Sequence, residues 1–146
     1  LDPIPWEEAV QMTGDPAAHT SAVIESGLAR ARAVVVLLTP DDVGRMKPEF
    51  LNDDDEEWER ELTGQPRLNV VFEAGRASAT HPKRTILVQV GQVRRFSDIS
   101  GQQILHFSGS PQDRNKLANR LKLAGCEINQ HGDWMEDHGE FRLAVS

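Results

Sequence analysis

Glu73 is the one carboxylate within Arg67-Leu68-Asn69-Val70-Val71-Phe72-Glu73-Ala74-Gly75-Arg76-Ala77, a stretch otherwise rich in apolar and small residues. Apolar neighbours on both sides imply a backbone packed against a core. A carboxylate there loses hydration unless a partner compensates, and such carboxylates are candidates for chemical roles. The same spacing permits a plainer reading, in which Glu73 lies on the wet side of a short helix or pairs with Arg76 one turn on. Spacing alone favours the plainer reading.

Other reactive groupings are weaker. His131, Asp133, Asp137 and His138 lack compact metal-ligand spacing, and the acidic run 52–61 lacks the glycine and oxygen-ligand pattern of a calcium loop, so no metal is expected. Self-repulsion within that run argues for a solvated loop or the outside of a helix. Cys126 is the lone cysteine; it permits no intrachain disulfide and fits a reducing, cytoplasmic setting.

The elements that must position Glu73 can be read from the pattern. Ala33-Val34-Val35-Val36-Leu37-Leu38-Thr39 is β-branched without polar alternation, which predicts a strand buried on both faces. A long polar connection follows to Gln65-Pro66, and connections of that length are usually functional or mobile. Residues 69–77 are ambiguous between strand and helix; the alanines decide for a helix with Asn69 near its start. Residues 84–90 form a second buried strand and 103–107 a third, with a helix over 111–125 begun by Pro111 and stopped by Gly125.

Upstream, Leu1-Asp2-Pro3-Ile4-Pro5-Trp6 reads as extended, its prolines excluding it from a central strand. Residues 12–17 read as a loop, followed by Thr20 or Ser21 as the side-chain N-cap of a helix that runs to about Arg32, burying Val23, Ile24, Gly27, Leu28 and Ala31 while Glu25 faces water. Alternating strands and helices predict an α/β, doubly wound, mostly parallel sheet, whose ligands bind beyond the carboxyl ends of the strands.

The chain of 146 residues fits one domain, with residues 131–146 as a polar tail. Residues 1–66 hold 15 acids and 5 bases, and residues 67–146 hold 8 acids and 11 bases; the total is −7. No basic stripe with interleaved aromatics is present, so nucleic acid is not expected as a partner. The longest apolar run, 33–38, is too short to span a bilayer, and no membrane partner is expected.

Four segments carry a family resemblance: Val35-Val36-Leu37-Leu38-Thr39-Pro40-Asp41-Asp42, Asn69-Val70-Val71-Phe72-Glu73-Ala74-Gly75, Ser97-Asp98-Ile99-Ser100-Gly101 and Leu121-Lys122-Leu123-Ala124-Gly125. In this order and spacing, over roughly residues 1–130, they resemble the bacterial TIR-like domains that serve as effectors of cyclic-nucleotide anti-phage systems, Pycsar and TIR–STING among them. The resemblance implies the flavodoxin-like TIR fold. It also implies a first strand and helix that this chain lacks, so an N-terminally incomplete domain is expected.

For function, the resemblance implies an NAD glycohydrolase that cuts the nicotinamide–ribose bond, with NAD as substrate and no cofactor. Glu73 stands where the family has its catalytic glutamate. Substrate contacts are expected from Trp6, stacking on a ring; from Asp41 and Asp42, on ribose or phosphate edges; from Asn69; and from Arg76. The segment 11–19 corresponds to the family's BB loop, a mobile gate. Self-association of TIR units and an attached or partner sensor domain for a nucleotide signal are the implied partners. The alternative is a non-enzymatic TIR scaffold or nucleotide-binding module.

Overall fold

A run of valine and leucine without polar punctuation extends readily, and in this protein it forms a strand that is outermost in its parallel sheet among the described residues. The computed structural model describes residues 2–94 and 103–129. In chain order its elements are α1 (Trp6–Thr13), α2 (Thr20–Arg30), β1 (Val34–Leu38), β2 (Asp42–Gly44), a 3-10 turn at Pro48–Phe50, α3 (Glu57–Arg60), β3 (Thr63–Gln65), α4 (Leu68–Thr80), β4 (Thr85–Gln89), β5 (Leu105–His106) and α5 (Pro111–Leu123). The main sheet runs β1-β4-β5, all parallel, with Val36 opposite Leu87 and Val88 opposite Leu105.

Helices cover the two faces, as an α/β doubly wound sheet requires. On one side α4 sets Ala74, with Val70 a turn before it, against Val36, Leu38 and Leu87. On the other, Leu121 and Leu117 of α5 pack on Ile86, Val88, Val90 and Leu105. Small residues on α4 let its axis approach the sheet closely, and Ala77 is as fully buried as Leu38.

The expectation that β1 is buried on both faces is corrected. Val35 and Leu37 are 38% and 54% exposed. In the parallel register these two side chains share the face of Ile86 and Val88. Over β4 and β5 that face is covered by α5, which does not extend over β1. Among the described residues β1 also has a strand neighbour on one side only.

The N-terminal reading is corrected too. Trp6 does not end an extended segment but opens α1, and Met12 and Thr13 belong to that helix rather than to a loop. Pro5 supplies the extended N-cap, Glu7 and Glu8 suit the positive end of the helix dipole, and Gly14 closes the helix at φ 71° with its N–H on the Gln11 carbonyl. The loop between α1 and α2 is therefore 14–19. The predicted side-chain cap of α2 at Thr20 or Ser21 is absent; His19 is the N-cap and its carbonyl accepts from Ala22 and Val23.

The long connection after β1 has structure of its own. β2 and β3 pair antiparallel, and the acidic run between them is gathered by Arg60, whose guanidinium donates to the carbonyls of Asn52 at 2.6 Å, Asp53 at 3.0 Å and Asp55 at 3.2 Å. This hairpin closes on the carboxyl edge of the sheet. A Cβ at Gly64 would lie 2.5 Å from that of Pro40, so only glycine permits the approach.

α5 is specified at both ends. At its start the Ser110 side chain accepts from the Asp113 N–H, and Asp113 Oδ2 accepts from the Ser108 hydroxyl at 2.7 Å and the Ser108 N–H at 3.0 Å. At its end Gly125, φ 90°, sends its N–H to the Lys122 carbonyl while Cys126 N–H reaches the Leu121 carbonyl, a Schellman closure. The Ser108 hydroxyl above all, then its N–H and Lys116, hold the Asp113 carboxyl well below the usual carboxylate range.

A folded-state value lowered in this way contributes stability above the unfolded value near pH 4, and that contribution is lost as pH falls toward the folded value. Asp113→Asn is thus expected to cost about 1–2 kcal/mol at pH 7 in urea unfolding. The gap to the parent protein should narrow at pH 3. A gap that widens on acidification contradicts the assignment.

Candidate functional site

α4 places Glu73 because its neighbour Ala74 must face the sheet. With Val70, Ala74 and Ala77 committed to the core at helical spacing, Glu73 emerges at the flank of the helix, half-buried, with 28% of its side chain exposed. Its Oε2 is buried and accepts no hydrogen bond. The predicted pairing with Arg76 is present only as a long contact, Nη1 to Oε2 at 3.7 Å, beyond hydrogen-bonding reach.

Arg76 spends its stronger contact elsewhere. Its Nη2 donates to Glu25 Oε2 at 2.7 Å, across from α2. α2 is held there by Arg84, just before β4, whose guanidinium donates to the Ala31 carbonyl and, at 3.3 Å, to that of Ala29. One arginine therefore stands between two carboxylates from different helices. Glu25 was expected simply to face water; no sequence pattern links positions 51 residues apart.

The remaining predicted contact residues are divided between α4, where Asn69 lies one turn before Glu73, and other elements. Asn69 is exposed in the first turn of α4, and Trp6 is exposed in the first turn of α1. Asp41 follows β1 at the carboxyl edge, and its Oδ2 accepts from the Thr39 hydroxyl at 2.8 Å, so it closes a turn. Asp42 is exposed and begins β2 opposite Gln65. Among the described residues no side-chain hydrogen bond or ion pair joins Trp6, Asp41, Asp42 or Asn69 to Glu73 or Arg76.

A second polar feature was not foreseen. Arg94, beyond β4, stacks 5.6 Å from the centroid of the Trp58 ring, whose buried Nε1 has no hydrogen-bond partner. The Arg94 N–H also donates to the Gly64 carbonyl at 2.7 Å, fastening the β2–β3 hairpin to the strand edge.

Chemically, Glu73 offers a half-buried carboxylate whose Oε2 accepts no hydrogen bond and lies 3.7 Å from the Arg76 guanidinium. Such a group stabilises positive charge or orients a hydroxyl. Among the described residues no His, Cys, Asp and Glu cluster is suited to a metal ion, and no helix is long and apolar enough to cross a membrane. The segment 97–101 and the His and Asp residues at 131–138 lie outside the described residues.

No curated protein and no solved structure matches the chain. A protein family does: residues 1–109 match the one described as CAP12/Pycsar effector protein, TIR domain. That span includes the sheet, the β2–β3 hairpin and the whole of α4 with Glu73. With so much of its length matched, and with the parallel α/β architecture in agreement, the chain belongs to the CAP12/Pycsar effector TIR-domain family.

Proposed function

We propose that this TIR domain is an NAD glycohydrolase acting in anti-phage defence, and that Glu73 is its catalytic carboxylate. The observation that carries the reading is Glu73 itself, with Oε2 buried, unbonded and no closer than 3.7 Å to Arg76. Family membership supports an effector role; the cleavage step rests on the chemistry of this carboxylate.

NAD carries a pyridinium at the nicotinamide, so that group departs neutral when the C1′–N bond breaks and its electron pair passes to the ring nitrogen. No general acid is needed. Positive charge is then shared between C1′ and O4′ of the ribose, where a carboxylate stabilises it. Water adds to C1′ and releases one proton, giving nicotinamide and ADP-ribose. One acid suffices where ordinary glycosidases use two.

Trp6, Asp41, Asp42, Asn69 and Arg76 are the proposed substrate contacts, and a neighbouring copy completes the site in this reading. A cyclic nucleotide bound by an attached or partner sensor domain supplies the trigger, and the cytoplasm supplies the NAD.

Nicotinamide release should therefore rise more steeply than linearly with protein concentration, measured chromatographically with light scattering to follow assembly. Release proportional to concentration in a persistent monomer overturns the assembly step. Intact NAD at every concentration and with the activating nucleotide present overturns the catalytic reading and leaves a scaffold.

A further inference from the structure

Arg76 has two carboxylates within reach and forms a hydrogen bond with the more exposed one. Its bond to Glu25 is 2.7 Å although that side chain is 73% exposed, whereas Glu73, 28% exposed, is held at 3.7 Å. A planar guanidinium beside a half-buried carboxylate ordinarily closes into a two-point pair, because both groups gain more there than from water. The contact with Glu25 diverts one side of the guanidinium to α2 and leaves Glu73 Oε2 unbonded.

We propose that Glu25 is a positioning residue, which holds Arg76 off Glu73 and so keeps that carboxylate free for the substrate's developing cation. The proposal rests on the catalytic reading of Glu73. Fork pairing with Arg76 would occupy both carboxylate oxygens and offset the charge the transition state needs. A contact this exposed adds little to folding, so its effect is on the placement of Arg76. It also ties the site to α2: any displacement of α2 that withdraws Glu25 leaves Glu73 as the nearest acid for Arg76.

The test uses the full chain with Glu25→Ala, which removes the acceptor, alone and combined with Arg76→Met. The crystal structure of the single variant should show Arg76 Nη1 closed onto Glu73 Oε2 at about 2.7–2.9 Å. Its kcat for nicotinamide release should fall about tenfold with KM little changed, and in the Arg76→Met background the Glu25→Ala step should have no effect. Arg76 remaining 3.7 Å from Glu73, or a loss of kcat that persists without Arg76, overturns the proposal. If the parent chain releases no nicotinamide, the catalytic reading fails, and the distance alone still decides whether Glu25 governs Arg76.

Discussion

Glu73→Gln is expected to lower nicotinamide release by about two to three orders of magnitude, the usual cost of deleting one electrostatic stabiliser of a transition state. The amide keeps the size of the side chain and removes its charge. Because NAD is already cationic at the nicotinamide, while charge on the ribose appears only as the bond breaks, kcat should fall further than KM rises. Folding should survive, for a structural reason particular to this site. Arg76 keeps its 2.7 Å bond to Glu25 when the Glu73 charge is removed, so no cation is orphaned. The buried Oε2 has no hydrogen bond to lose, and thermal stability should hold or rise. A variant that unfolds, or that matches the parent in turnover, contradicts this account of Glu73.

Leu38→Ala should be the most destabilising of the simple truncations, costing about 3 kcal/mol in urea unfolding at unchanged m-value. Leu38 is almost fully buried and forms the floor on which Ala74 and Leu87 meet. The cavity would open directly beneath α4, one residue from Glu73, so activity should fall beyond the loss of folded protein. Leu38→Met, which conserves volume, should cost less than about 1.5 kcal/mol and serves as the control. A loss below 1 kcal/mol for the alanine variant would mean that α4 is seated elsewhere.

Much of this was legible because local and global signals agree. The apolar runs of β1 and β4, the alanine spacing of α4, and the Pro111 and Gly125 stops of α5 each point to the element that forms. Ser110-Pro111-Gln112-Asp113 even spells out the cap that α5 uses. Coverage of the sheet was not legible: a strand covered on one face and a strand covered on both can have the same composition, and Val35 and Leu37 read as buried until the coverage of α5 is known. α1 was hidden by Pro3 and Pro5, which argue against a strand but equally well precede a helix.

At the site, the sequence offered Glu73 and a guess at Arg76. What it could not offer was Glu25, since an ion pair between helices depends on how α2 docks and not on spacing along the chain. Asp41 stands at the expected carboxyl edge, but the turn that takes up its Oδ2 through the Thr39 hydroxyl was not read from the sequence. Proximity to the carboxyl end of a strand nominates residues, and their hydrogen bonds decide what remains available.

The central claim is that the Glu73 carboxylate cleaves NAD, and the most direct measurement is nicotinamide released over time by the parent protein and by Glu73→Gln under activating conditions, with equal folding shown by circular dichroism. The account predicts nicotinamide and ADP-ribose in equal amounts from the parent, and about one hundredth of that rate or less from the variant. Equal rates from the two proteins would contradict it.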